Sequence, residues 1–114
     1  MLGTAIDLNH LSRYTGGNES LNAEVLRLFE TQTSELVVKL QSILEAADVK
    51  SWKEVTHTLK GAAKGVGAFS FAEAAAAAEP IDPSRDHESA ARAMAQLMRN
   101  AEAVKRFVDS YLER

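Results

Sequence analysis

The chain has 114 residues, a length that suits a single domain over residues 1–114, and 46% of them are hydrophobic. The absence of cysteine excludes disulfides, zinc–thiolate sites and thiol chemistry, and a net charge of −3 without a long basic run argues against nucleic acid as a partner. Without a signal peptide or an apolar run near the ~18 residues of a membrane span, we expect a cytoplasmic protein with no membrane contact.

Apolar residues at steps of three and four predict a series of helices from the N-terminus onward. The first is short and covers 4–14, because Gly16 and Gly17 follow it. The second runs from about 19 to 47, with Asn18 as its cap. Its expected core-facing stripe is Leu21, Val25, Leu28, Phe29, Gln32, Leu36, Leu40, Ile43 and Leu44.

A third helix is predicted to open at Asp48 or at Ser51 and to end at the glycines Gly65 and Gly67. The residues that it is expected to turn towards the core are Trp52, Val55, Leu59, Ala62, Ala63 and Val66. This helix contains the only segment of the chain whose residue types indicate chemistry.

A fourth helix over 68–79 carries five consecutive alanines and is stopped by Pro80. The last helix is expected to start at Asp82–Pro83 and to run to the end of the chain. These elements predict an all-α fold, an antiparallel four-helix bundle with a short additional N-terminal helix. Its predicted core contains Leu28, Leu36, Leu40, Ile43, Trp52, Val55, Leu59, Met94, Leu97 and Val104.

The segment HTLKGAAKGVGA begins at His57, within the third helix. Residues three, four and seven apart share a helical face, so an exposed stripe is expected, made of Lys53, His57, Lys60, Gly61 and Lys64. Glycine costs about 1 kcal/mol relative to alanine in a helix interior. A bulky group that approaches the histidine would explain this glycine, and the lysines indicate that the group is anionic. The simpler alternative is a solvated face with a close helix crossing.

This segment resembles the signature of histidine-containing phosphotransfer (HPt) domains, in which His-x-Leu-Lys-Gly is followed by Gly-Ala. The resemblance covers nearly the whole chain, although Ala62 stands where many members carry serine and 74–78 is richer in alanine. It implies a phosphorelay intermediate of two-component signalling, without ATP-dependent kinase activity of its own. His57 would accept a phosphoryl group from a receiver-domain aspartate, as a phosphohistidine, and pass it to another receiver.

The resemblance also implies roles for the residues around the histidine. Lys60 would offset charge on the phosphoryl oxygens, Gly61 would leave space for them, and Glu79 would hydrogen-bond the second ring nitrogen. A surface carboxylate at a helix end is the alternative for Glu79. Lys53 and Lys64 are expected at the partner interface. The expected partners are receiver domains of response regulators or a hybrid histidine kinase, and the protein is expected to be a monomer. No cofactor is expected in this chain, since the Mg²⁺ would belong to the receiver.

Two other classes of protein have to be weighed. In the dimerisation helix of a sensor histidine kinase, an acidic residue usually follows the histidine and a Thr-Pro lies shortly beyond; here Thr58 follows and Gly61 stands at the threonine position. A non-catalytic helical adaptor would be expected to lack the histidine or the lysine.

The remaining histidines, His10 and His87, have no carboxylate at motif spacing and are not expected to bind metal. No Walker lysine-serine pattern follows the glycines, which argues against ATP binding.

Overall fold

A computed structural model describes residues 5–113, which form five helices and no strand. Their bounds are α1 Leu8–Thr15, α2 Glu19–Ala46, α3 Val49–Val66, α4 Phe69–Ala78 and α5 His87–Leu112. The four longer helices pack in the order α2, α3, α4, α5, and α5 closes the ring against α2. Consequently α3 and α5 lie diagonally across the bundle, and α1 packs on α2 and α3. The predicted fold class is confirmed.

No helix among the described residues is both long enough and apolar enough to cross a lipid bilayer.

Carboxylate caps define where the first and third helices begin. Asp48, rather than Ser51, caps α3: its carboxylate accepts the backbone N–H of Ser51 at 3.1 Å and the Ser51 hydroxyl at 2.7 Å. Helix α1 begins at Leu8, later than predicted, because the Asp7 carboxylate caps it by accepting the backbone N–H groups of Asn9 and His10. The predicted start at Thr4 lies outside the described residues.

The predicted start of the last helix at Asp82–Pro83 is wrong. The Asp82 carboxylate accepts the backbone N–H of Ser84 at 2.9 Å and its hydroxyl at 2.6 Å, so it stabilises a turn. Helix α5 begins at His87 instead, where Asp86 accepts the backbone N–H of Ser89 at 3.0 Å. The connection between α4 and α5 is therefore longer than expected.

Most of the predicted core is confirmed. Eight of its ten residues are buried: Leu40, Ile43, Trp52, Val55, Leu59, Met94, Leu97 and Val104. Leu36 is half-buried, and Leu28, with 60% of its surface exposed, is not in the core. The prediction for Leu28 is wrong because the buried face of α2 includes two polar residues, Asn22 and Thr33, which a pattern of apolar residues does not include. That face runs through Asn22, Leu26, Phe29, Thr33, Val37, Leu40 and Ile43.

Hydrogen bonds satisfy the buried Asn22 and tie three helices together. Its side-chain oxygen accepts the Thr15 hydroxyl of α1 at 2.5 Å, and its amide nitrogen donates to the Tyr111 hydroxyl of α5 at 3.3 Å. A buried polar group costs free energy unless it is paired in this way. Asn22 can therefore occupy a core position of α2.

Gly67 ends α3 in the left-handed conformation, with φ of 89°, and also receives α1. The backbone N–H of Asp7 donates to the Gly67 carbonyl at 2.9 Å. A Cβ at this position would lie 2.8 Å from the carbonyl oxygen of Asp7. Both the backbone conformation and the close approach therefore require glycine.

Candidate functional site

The predicted stripe of α3 lies on the outer face of the bundle. His57 is at the middle of the helix, with 68% of its side chain exposed, and Lys53, Gly61 and Lys64 are exposed on the same face. Lys60 is half-buried, with 25% of its side chain exposed. The helix is held in this orientation because its opposite face is in the core, through Trp52, Val55, Thr56, Leu59 and Ala63.

Glu79, directly after α4, bridges two residues of the stripe. Its Oε2 lies 3.1 Å from Nδ1 of His57, and its Oε1 accepts the Lys60 ammonium at 2.7 Å. Only 18% of the Glu79 side chain is exposed. The structure thus brings His57, Lys60 and Glu79 into one hydrogen-bonded group.

A buried contact fixes the position of Glu79 relative to α3. The indole N–H of Trp52 donates to the carbonyl of Ala78 at 2.9 Å, and Trp52 is fully buried. Because Ala78 is the last residue of α4, this bond anchors the end of that helix one residue before the carboxylate. Glu79 therefore reaches the stripe from an anchored backbone.

The electrostatics of the group assign the proton on the His57 ring. The hydrogen bond from Lys60 lowers the pKa of the Glu79 carboxyl, partial burial opposes this, and the bond with His57 lowers the pKa further. An ionised carboxylate can only accept hydrogen bonds. In the neutral imidazole, Nδ1 therefore donates to Glu79 and Nε2 keeps its lone pair.

Gly61 leaves open space beside the histidine. Beyond its chain neighbours and the adjacent backbone of its own helix, a Cβ built on it would meet no heavy atom within 4 Å, and the same holds for Gly65 one turn later. Neither glycine is therefore required by packing within the bundle. Any constraint on Gly61 has to come from a group outside the described residues.

Two surface cavities flank the stripe. One, of about 430 Å³, lies beside His57 and is lined by Val49, Lys50, Lys53, Glu54, His57 and Glu79. The other, of about 290 Å³, lies between α2 and α3 and is lined by Gln32, Thr33, Glu35, Leu36, Thr58, Leu59 and Ala62. The stripe thus has room on both sides.

The apolar residues on the outer face of α2 are not among the site residues predicted from the sequence. Leu21 and Leu28 are exposed, and Leu36 lines the cavity between α2 and α3. Their three-, four- and seven-residue spacings predict a core-facing stripe, and this prediction is wrong for Leu21 and Leu28. The buried face of α2 can be identified only if the polar residues Asn22 and Thr33 are counted as core residues.

The other two histidines lie apart from this group. His10, in α1, packs edge-on against the rings of Tyr14 and Phe69, with centroids 5.5 and 5.1 Å away. His87 is the exposed first residue of α5. Neither is brought to the α3 stripe.

Comparisons with known proteins give one match. No curated protein and no solved structure matches the chain. The family model of the Hpt domain matches residues 24–107, a range that contains most of α2, all of α3 and α4, and most of α5. The chain therefore belongs to the Hpt domain family, the helical bundles of histidine phosphotransfer in two-component signalling.

Proposed function

We propose that this protein is a phosphorelay intermediate with His57 as the phosphoryl acceptor. Nε2 attacks the phosphorus of an aspartyl phosphate on a receiver domain, the N–P bond forms, and the P–O bond to the aspartate breaks. The aspartate carboxylate of a second receiver then attacks the phosphorus, a new P–O bond forms, and the N–P bond breaks with its electron pair returning to Nε2. The observation that carries the proposal is an exposed imidazole whose Nδ1 is bound by Glu79, so that Nε2 is the free nucleophile.

The residues around His57 favour attack by the ring nitrogen and leave space for the phosphoryl group. Neutral imidazole is a nucleophile near neutral pH. The Glu79 carboxylate stabilises the positive charge that develops on the ring as the N–P bond forms. Gly61 leaves the space in which phosphoryl oxygens and the receiver approach, and the cavity beside His57 gives further room.

A receiver would dock over the groove between α2 and α3. Leu28 and Leu36 offer apolar contact on α2, and Ala62 continues that surface on α3. Exposed apolar clusters with a polar rim are typical of docking sites. Lys53 and Lys64 lie at the interface as the contacts to the acidic active site of the receiver, which supplies the Mg²⁺. In this proposal the protein works as a cytoplasmic monomer, binds no cofactor and does not use ATP.

The test is transfer from phosphorylated receivers of the source organism. Label that is acid-labile and base-stable is expected on the wild-type chain and absent from His57→Ala, whose helical signal in circular dichroism stays unchanged. His10→Ala and His87→Ala serve as matched controls and are expected to keep the label.

Three outcomes would contradict the proposal. Label retained in His57→Ala would place the acceptor elsewhere. Label accepted from no receiver would favour the adaptor alternative. Label taken only from the ATP-binding domain of a kinase would favour a kinase dimerisation helix.

A further inference from the structure

The cavity beside His57 lies on the side of α3 that faces the end of α4, whereas the other cavity lies on the side that faces α2. Its volume is about 430 Å³, and its walls include Val49 at the start of α3 and His57 at the middle of that helix. Binding pockets in proteins start at about 300 Å³, so the cavity is large enough for a bulky side chain. The histidine therefore lies between two recesses, one on each side of its helix.

Val49 is an exposed apolar residue in the wall of this cavity. It has 42% of its surface exposed, and the start of α3 depends on the Asp48 carboxylate rather than on an apolar side chain. Other exposed apolar residues lie elsewhere: Val38 and Met98 line a cavity between α2 and α5. The exposed surface of Val49, in contrast, belongs to the surroundings of the histidine.

A domain that brings an aspartate to His57 has to cover both sides of α3. A helix with its side chains is about 10 Å wide, whereas a globular domain of ~100 residues has a radius of gyration of about 13 Å. Standard interfaces bury about 800 Å² on each partner, which corresponds to a patch roughly 30 Å across. Val49 precedes His57 by eight residues, or about 12 Å along the helix, and so lies within a patch of that size centred on the histidine.

The charges around the cavity are mainly positive. Lys50 and Lys53 line it and are exposed, and Glu54 is an exposed carboxylate among its walls. The carboxylate of Glu79 is already bound to the Lys60 ammonium at 2.7 Å. An apolar group next to a carboxylate complements this arrangement, because the methylene stems of the lysines contact the apolar part while their ammonium groups attract the charge.

We propose that this cavity is a second docking point for the receiver, in which an apolar side chain of the receiver, flanked by a carboxylate, packs against Val49. The receiver then straddles α3, with the groove to α2 on one side and this cavity on the other. Val49 is thereby a specificity-determining residue, because a charged receiver side chain at this point would lose its hydration in an apolar cavity. The inference rests on the proposed function, since it concerns how the partner of His57 is recognised.

The first experiment detects the contact itself. The full chain is deuterated except for valine methyl groups, and a protonated, unphosphorylated receiver from which the wild type accepts label is added in excess. Saturating the receiver protons is expected to attenuate the Val49 methyl signals, because cross-saturation requires direct proximity. Val38, 64% exposed beside α5, is the matched valine and is expected to keep its intensity. Val49→Ala and Val38→Ala assign the signals.

The second experiment compares substitutions at the same two valines by calorimetric titration with the receiver. Val49→Ala removes two methyl groups from the contact and is expected to weaken binding about tenfold, whereas Val38→Ala is expected to bind as the wild type does. Val49→Thr keeps the shape of the side chain but adds a hydroxyl, and is also expected to weaken binding. Glu54→Gln removes a repelling charge and is expected to tighten binding about twofold. Circular dichroism of each variant establishes that it is folded.

Two results would overturn the inference. One is a complex in which the Val49 methyl signals keep their full intensity, and the other is wild-type affinity in both Val49→Ala and Val49→Thr. In either case a receiver that still binds and transfers its phosphoryl group leaves the proposed function standing. If no receiver binds the wild type at all, the proposed function fails and this inference fails with it.

Discussion

At the scale of single residues, Gly61 and Gly65 form a natural pair for comparison. Both lie in α3 and both are exposed, and a Cβ on either would have no atom within 4 Å beyond its chain neighbours and the adjacent backbone of its own helix. They differ in their distance along the helix from His57, which is four residues for Gly61 and eight for Gly65. Any difference between their variants therefore measures access to the histidine rather than packing.

We expect Gly61→Ala to raise the free energy of unfolding by up to ~1 kcal/mol, because alanine has the higher helix propensity and restricts the unfolded chain. Phosphotransfer by the same variant should fall, because the methyl group occupies space beside the imidazole. Urea unfolding and transfer rates on one protein preparation measure both effects.

Gly65→Ala is the control for this comparison. It should gain stability on a similar scale and transfer at the wild-type rate. Equal rates for Gly61→Ala and the wild type would show that the open space beside His57 is not used by the receiver.

At the scale of helices, α2 shows two faces of different kinds. Its buried face accepts polar residues, whereas its exposed face carries apolar ones such as Leu28. A core needs apolar area but tolerates a polar group that finds hydrogen-bond partners, as Asn22 does. The exposed leucines have no such structural reason, which is why we assign them to docking.

The two leucines of α2 that lie two residues apart test this orientation. Leu26 is fully buried and Leu28 is 60% exposed. Leu26→Ala should cost about 2–5 kcal/mol of stability, because it leaves a cavity in the core. Leu28→Ala should change stability by no more than about 0.5 kcal/mol and should weaken binding to a receiver. Urea unfolding and receiver titration of both variants provide the measurements, and a large loss of stability in Leu28→Ala would contradict the assigned face.

The contrast between α2 and α3 shows what could be predicted from sequence. In α3 the apolar and charged residues separate cleanly around the helix, so its core face and the stripe around His57 followed from spacing alone. In α2 the polar Asn22 lies in the core because Tyr111, 89 positions away, pairs with it. Such a partner is invisible to local periodicity.

In the candidate site, too, one part could be predicted from local sequence and another depends on a tertiary contact. His57, Lys60 and Gly61 lie within one helix, and their shared region could be inferred from the order of residues. The contact between Lys60 and Glu79 depends on how α4 ends against Trp52, which is a tertiary contact. The resemblance to a known family pointed to Glu79 and the ring nitrogen, but nothing in the sequence indicated that the lysine shares the same carboxylate.

At the scale of the whole molecule, charge is distributed unevenly. Helix α3 contains four lysines and one glutamate, a net charge of +3, whereas the whole chain carries −3. The remaining residues therefore carry −6. An acidic partner would be attracted to α3 and repelled by the rest of the surface, which orients the encounter before contact.

Association with a receiver should therefore slow as salt is added, because exposed charges are screened over about 10 Å at 0.1 M. Lys53→Glu should lower the association rate several-fold at low salt and weaken its salt dependence. Arg99→Glu changes the net charge equally on α5, diagonal to α3, and should have a smaller effect. Stopped-flow association at several salt concentrations distinguishes them; equal effects would show that net charge alone matters.

The diagonal arrangement of α3 and α5 also allows a probe to be attached far from the face around His57. Because the chain contains no cysteine, Arg99→Cys would introduce a single thiol on the helix that lies diagonal to α3. A fluorophore attached there would report the slower tumbling of a complex by anisotropy while leaving the face around His57 uncovered. The same thiol could tether the protein to a sensor surface with its histidine turned towards solution.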